Sequence, residues 1–276
     1  MVAALLIGFR EGLEAALIVG IVMGYLVKIN QHAQLRTAWA GVGAAVLLSV
    51  LVALGITAVG AELEGRAEQI FEGVAMFFAV AVLTWMIFWM RTQARTLKAT
   101  LEKGIHAVVT SGAAWGLFSL TFVAVFREGV ETALLLSASA FAADGASTFI
   151  GAVIGLLLAA ALGWGIYAST VRLNLRLFFN ITSVLLLFFA AGLLAHGVHE
   201  FQEAGLLPLT IEHVWDTNHI LNEHSTAGEI LNALLGYNGN PSLLEIISYV
   251  AYWVVALVGV RWWVEKQFAG STKLSA

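Results

Sequence analysis

Cysteine is absent from all 276 residues, so the chain has no disulfide framework, no thiolate metal site and no cysteine nucleophile. Proline occurs only twice. Charge is also scarce: 12% of residues are Asp, Glu, Lys or Arg, where soluble domains carry about 25%. There is no basic patch of the kind phosphate binding requires, which excludes nucleic acid as a partner. What is present is largely apolar, with 60% hydrophobic residues and a mean hydropathy of +0.87. Apolar runs of roughly 20 residues recur, each long enough to cross a bilayer as a helix. The composition therefore predicts an all-α polytopic protein whose surroundings are membrane lipid.

The runs place spans at about 2–27, 37–60, 70–90, 113–140, 147–169, 177–197 and 245–264, seven transmembrane helices in all. The first run is too long for a signal peptide, lacks a basic start and contains Arg10, Glu11 and Glu14, so it reads as a retained span. Lys28 and Arg36 follow the first span, and Arg91, Arg95, Lys98 and Lys103 follow the third. Arg172 and Arg176 follow the fifth, and Arg261, Lys266 and Lys273 surround the end of the seventh. These connections alternate, and the positive-inside rule makes them cytoplasmic, with the N-terminus outside and the C-terminus inside. The other face is acidic, with Glu62, Glu64, Glu68 and Glu72 at one connection and Asp144 at another. A long outer segment, about 198–244, holds Glu200, Glu203, Glu212, Asp216, Glu223 and Glu229, together with His199, His213, His219 and His224. A carboxylate-rich face concentrates cations, although a solvated rim that merely avoids Lys and Arg would look the same.

Against this background, "FREGLEAALIVGI" (Phe9 to Ile21) sets Arg10, Glu11 and Glu14 in the middle of an apolar run. "FREGVETALLL" (Phe126 to Leu136) repeats the pattern with Arg127, Glu128 and Glu131. On a helix the two glutamates of each copy share a face, and the arginine can pair with the glutamate four residues on. The first copy lies roughly 12–20 Å into the membrane at 1.5 Å per residue. An ionised side chain there costs at least ~2.5–3.5 kcal/mol, so all six must face the bundle interior. The first copy sits on a span running inward and the second on a span running outward. This is the signature of a 3+3 inverted-topology repeat, about 1–110 and 111–200, with a seventh helix at 245–264 appended, all within a single transmembrane domain over 1–276. Small pairs four apart (Gly8/Gly12, Gly20/Gly24, Gly112/Gly116, Gly151/Gly155) suit close helix packing.

If the repeat axis brings the copies together, four carboxylates converge beside two guanidinium groups that orient them through bidentate hydrogen bonds. The surplus negative charge must hold protons or a cation, and oxygen-only ligands favour hard cations. A single Arg–Glu pair could equally be a clasp that fixes helix register. Two copies, each with a glutamate beyond what its arginine neutralises, weigh against that. Glu68 and Glu72, in "AEQIFEG", form a candidate receiving site, as do Glu200 and Glu203 beside His199; a helix-start carboxylate cluster is the plainer reading of the first pair. His196 suits a packed histidine, His213, His219 and His224 lack a tight metal spacing, and Trp85, Trp89, Trp262 and Trp263 suit interface anchors.

The two R-E-G-x-E copies, with "EQIFEG" before the third span, make the chain resemble the oxidase-dependent iron permeases. The likeness to the bacterial EfeU-type members extends through "TWMIFWMR" (84–91), "VRLNLRLFF" (171–179), "EAGL" (203–206) and "GYNGNPSLLEI" (236–246). The resemblance implies high-affinity iron uptake across the cytoplasmic (inner) membrane, with iron as transported substrate, no prosthetic group and no enzymatic activity. It implies Glu11, Glu14, Glu128 and Glu131 as the iron-handling carboxylates, with Arg10 and Arg127 as their motif partners. It also implies partner proteins: a periplasmic iron-binding protein with a haem peroxidase, or a multicopper oxidase. Hard Fe3+ supplied by such an oxidase suits carboxylates, and Fe2+ or another hard divalent cation such as Mn2+ fits the same donors. A membrane di-iron carboxylate oxidase is the rival from another class; such sites pair Glu with Glu-x-x-His, and the motifs here contain no histidine.

Overall fold

The computed structural model describes residues 1–93, 97–110, 114–143, 145–168, 175–223 and 225–272. Arg95, Gly112, Asp144, Arg172, His224 and Lys273, which entered the sequence reading, lie outside the described residues. Helix is the regular secondary structure of the described residues. The helices are α1 (Val2–Lys28), α2 (Leu35–Glu62), α3 (Arg66–Gln93), α4 (Leu97–Thr110), α5 (Ala114–Phe141), α6 (Gly145–Ala168), α7 (Leu175–Glu203), α8 (Thr226–Leu235) and α9 (Leu243–Thr272), with a 3-10 turn at His32–Gln34 before α2. Within the described residues each expected span falls on one of α1, α2, α3, α5, α6, α7 and α9, with helix ends up to eight residues beyond the expected ones.

Among the described residues four helical stretches are long and apolar enough to cross a membrane: His32–Glu62, Arg66–Trp89, Gly145–Gly165 and Leu177–Glu203. α1 and α5 have comparable length, 27 and 28 residues or about 40 Å. What sets them apart is three charged residues in mid-helix. α1 stops where Asn30 adopts a left-handed conformation (φ 57°), so that Asn30 N–H donates to Val27 O and Gln31 N–H to Leu26 O. This double bond pattern is a standard way to satisfy the last carbonyls of a helix.

Three features differ from the sequence expectation. The basic connection after the third span contains a helix, α4. The sixth span continues as helix to Glu203, so His199, Glu200 and Glu203 are helical rather than part of a loop. The outer segment contains α8, started by Ser225, whose hydroxyl accepts from Gly228 N–H, and ended by Gly236 at φ 69°. α4 owes its helicity to Leu101, Ile105 and Val108, spaced to form one apolar stripe. That stripe packs into the interior beside α1 and α5.

The chain divides into two compact units. The first comprises Met1–Glu64 and Met90–Val184, and the second comprises Gly65–Trp89 and the chain from Leu185 onward. In the first unit α1 lies along α6, α2 lies along α5, and α1 also packs on α5. Glycines set these distances. A Cβ on Gly8 would stand 2.8 Å from the Ala152 carbonyl oxygen, and one on Gly12 would stand 2.9 Å from Ala159 Cβ. Cβ atoms on Gly151 and Gly155 would overlap the carbonyl oxygens of Met1 and Leu5. On the other seam a Cβ on Gly41 would lie 2.7 Å from the Phe118 carbonyl oxygen, and one on Gly129 would overlap Ser49 Oγ. Gly20 and Gly24, expected to pack in the same way, meet nothing within 4 Å. Their spacing is right, but they face open space rather than a seam.

The second unit joins α3, the later part of α7, α8 and α9. The Phe77 ring stacks on Phe201 at 5.2 Å, and the Phe201 edge covers Gly73. Thr84 Oγ1 and Tyr252 OH share a hydrogen bond of 3.0 Å. Ser242 Oγ donates to Gln202 Oε1 at 2.7 Å.

Candidate functional site

The six motif residues sit halfway along α1 and α5, in the first unit. Arg10 is fully buried. Its Nη1 donates to Glu11 Oε1 at 2.6 Å, and its Nη2 stands 3.2 Å from Glu14 Oε1. The expected pairing of Arg10 with Glu14 is therefore present, and Glu11 joins it, so one guanidinium bridges two carboxylates. In the second copy Arg127 Nε donates to Glu131 Oε1 at 2.9 Å, the same four-residue spacing. The copies differ in burial: the Arg10 side chain is 0% exposed and the Arg127 side chain 37%.

Across the helix pair, ligand oxygens of Glu11, Glu128 and Glu131 all lie within 4.8 Å of one another. Glu11 and Glu128 are buried and Glu131 nearly so. The Oε2 atom of each of the three is buried and makes no hydrogen bond. Three carboxylates converging in a buried interior cannot all stay ionised unaided, so the trio must hold protons or a cation. Glu14 lies outside this 4.8 Å group, beside Arg10, although its Oε1 is likewise buried without a hydrogen bond. The motif glycines admit further helices beside the motifs. Gly12 receives Leu156 and Ala159 of α6, and Gly129 receives Ser49 of α2. Each glycine thus places a neighbouring helix against the motif.

A cavity of about 450 Å³ adjoins the trio. It lies among α1, α2, α5 and α6, with Glu11 and Glu128 on its wall.

In the second unit, Glu68 is exposed and Glu72 half-buried on α3, while Glu200 is buried and Glu203 exposed on α7. Gln69 Nε2 donates to Glu203 Oε2 at 2.9 Å, tying these two helices together. His199 Nε2 lies 3.2 Å from Glu203 Oε1, and its Nδ1 lies 3.0 Å from Glu245 Oε1. His196 Nε2 is 3.6 Å from Glu200 Oε1, so His196 contacts a carboxylate as well as packing within its span. The sequence reading passed over Glu245. It is 3% exposed, accepts from Asn238 Nδ2 at 2.6 Å, and exchanges 3.3 Å bonds with Ser242 at the start of α9. Ser-x-x-Glu before an apolar run is the capping-box signature, and "SLLE" carried that signal in plain view. Gln69 and Asn238 had no comparable signal.

The sequence profile of the Iron permease FTR1 family matches residues 1–267 of this chain. A Yersinia pestis protein named ferrous iron permease EfeU is 38% identical over 261 residues, covering 94% of this chain and 92% of that protein. Proteins of the same name from Escherichia coli O6:H1 (strain CFT073) and Shigella sonnei are each 38% identical over 261 residues, covering 94% of both chains. No solved structure matches the chain. The family profile spans both charged motifs, and the similarity covers nearly the full length of each relative, as expected of shared descent rather than a borrowed motif. This chain is a multi-pass membrane protein and belongs to the iron permease FTR1 family, a family of transporters and not of enzymes.

Proposed function

We propose that the chain takes up iron across the cytoplasmic membrane and that Glu11, Glu128 and Glu131 hold the ion in transit, with the two arginines balancing charge around them and Glu14 paired with Arg10. The single observation behind this reading is the approach of three carboxylates from two motif copies to within 4.8 Å, each with an oxygen that accepts no hydrogen bond. Arg10 and Arg127 keep the remaining charge tolerable. The seven-span, inverted-repeat reading finds support in the pairing of helices. Exchanging α1 with α5 and α2 with α6 turns the α1–α6 seam into the α5–α2 seam. The Lys and Arg distribution supports an exterior N-terminus and a cytoplasmic C-terminus. Glu68, Glu72, Glu200 and Glu203 serve on this reading as outer carboxylates that gather cations. A periplasmic iron-binding protein with a haem peroxidase, or a multicopper oxidase, would supply the ion.

The donor set is all oxygen, which suits Fe3+ made by a partner oxidase. A second reading, Fe2+ as the transported form, draws on the printed name of the Yersinia, Escherichia and Shigella relatives, ferrous iron permease. Uptake of radioactive iron into proteoliposomes, aerobically and anaerobically with a set pH gradient, separates the two. Manganese competition in the same vesicles tests the remaining hard-cation alternative. Glu11→Gln, Glu128→Gln and Glu131→Gln should each lower uptake at least about tenfold, equivalent to about 1.4 kcal/mol. Glu14→Gln should cost less, because its carboxylate lies outside the trio. Normal uptake by Glu11→Gln or Glu128→Gln would remove the carboxylate site from the mechanism.

A further inference from the structure

We propose that the cavity of the first unit is the path by which the cation reaches the carboxylates, with Thr148 as an oxygen ligand along it, and that this conformation is closed on the opposite side by an apolar plug. The proposal rests on the transport reading above and adds a route and a direction to it.

The cavity follows α5 outward from the trio. Its wall includes Glu128, Thr132, Leu136 and Ala140, which on a helix span about 18 Å. It ends near Gly145 at the start of α6 and Thr57 near the end of α2, so it reaches the end of the unit where α5 connects to α6. Most of its wall is apolar, and Val46, Val50, Leu54 and Phe149 on it are at least half exposed, so it is open along one side and only its polar groups could hold an ion or water.

Apart from the two carboxylates, the side-chain polar groups on the wall are hydroxyls: Ser49, Thr57, Thr132, Ser137 and Thr148. Ser49 donates its proton to the Ala45 carbonyl oxygen, Thr57 to that of Ala53 and Thr132 to that of Glu128, each one helical turn back. With the proton so committed, the hydroxyl lone pairs remain as acceptors, the polarity a passing cation needs. Thr148 is 4% exposed, and its buried Oγ1 makes no hydrogen bond. A buried hydroxyl left unsatisfied on the wall of a water-sized cavity calls for a ligand, and an ion or its hydration water supplies one.

On the other side of the motifs α1, α2 and α5 close together with α4 in an apolar cluster. Ile18, Val22 and Leu26 of α1, Ala38 and Ala45 of α2, and Leu117 of α5 form one buried cluster, with Ile105 of α4 inserted at 0% exposure. The carboxylates thus stand at the floor of a vestibule, and the segment missed in the sequence, α4, helps to seal the floor.

The absence of native cysteine makes the test direct. Single replacements Ala53→Cys and Ala133→Cys place a thiol on the cavity wall, Ala45→Cys places one in the plug, and Gly145→Cys marks the α5–α6 end. The full chain is reconstituted in proteoliposomes, and a membrane-impermeant cationic methanethiosulfonate is added to one face at a time. Ala53→Cys and Ala133→Cys should react only from the face that labels Gly145→Cys, at least about tenfold faster than Ala45→Cys, and ferrous iron held reduced with ascorbate should slow them. Thr148→Val should slow iron uptake several-fold, with Thr148→Ser restoring it, a rescue that a packing role alone would not give. Reaction with N-ethylmaleimide but not with the charged reagent would mean a lipid-filled groove and overturn the proposal. So would reaction of Ala45→Cys at the rate of Ala53→Cys. If the path fails while the Gln variants still lose uptake, only this inference falls; if Glu11→Gln transports normally, the transport site falls whatever the labelling shows.

Discussion

Gly155→Ala should push α6 away from α1, and the structure sets the size of the effect. The new Cβ would overlap the Leu5 carbonyl oxygen and stand 2.7 Å from Phe9 N, where 3.4–4 Å is ordinary contact. Both atoms are backbone of α1, so no side-chain rotation relieves the clash and the helices must separate by most of an ångström. Alanine gains up to about 1 kcal/mol over glycine in helix propensity. Overpacking a tight interface costs about 1–3 kcal/mol, and a rigid backbone neighbour belongs at the upper end. The net expectation is a loss of about 1–2 kcal/mol. Gly165→Ala is the control on the same helix, because a Cβ there meets nothing within 4 Å and only the propensity gain of about 0.4–1 kcal/mol remains. Heating the detergent-solubilised chain and following the intact peak by size-exclusion chromatography should rank Gly155→Ala below the parent and Gly165→Ala at or above it. Equal melting for the two alanine variants would refute the claim that this glycine sets the helix distance.

The two motif arginines should differ. Arg10→Met strands Glu11 and Glu14 in a fully buried setting, where breaking a pair costs about 3–5 kcal/mol, whereas Arg127→Met leaves Glu131, which is 14% exposed where Glu11 is 0%, and should cost less; the same melting series reads both. Ser242→Ala removes the cap that Glu245 N–H donates to and should destabilise the chain by about 0.5–2 kcal/mol, with Ser242→Asp or Ser242→Thr retaining most of it.

The helices were legible because the apolar runs are long, and the site was legible because charge in oil is expensive. Arg10 with Glu14, and Arg127 with Glu131, followed from the four-residue spacing alone. Which glutamates would meet across the helices did not follow. Glu11 and Glu14 share a face, and only the packing of α1 on α5 turns Glu11 toward Glu128 and Glu131 while Glu14 stays on Arg10. Glycine spacing misled in the same way, since Gly8/Gly12 and Gly20/Gly24 look alike until a partner helix is present on one side only. α4 was hidden by its lysines, which mark a connection by charge while Leu101, Ile105 and Val108 carry a helical stripe. Ser242–Glu245 is legible as a Ser-x-x-Glu helix start, while the His199 and Asn238 contacts that Glu245 also makes depend on the fold.

The glycine inside R-E-G-x-E has a consequence for how such a motif can be moved or varied. Its neighbours carry the charge, while the glycine itself is a contact surface fitted to Leu156 and Ala159 in one copy and to Ser49 in the other. The five-letter string is therefore only half of a mating pair. Grafted into a foreign bundle without small residues waiting on the opposite helix, its acids would be present but held at the wrong separation. Within this chain, changes at Ser49 or Ala159 should be correlated with changes at Gly129 or Gly12, even though neither Ser49 nor Ala159 bears charge.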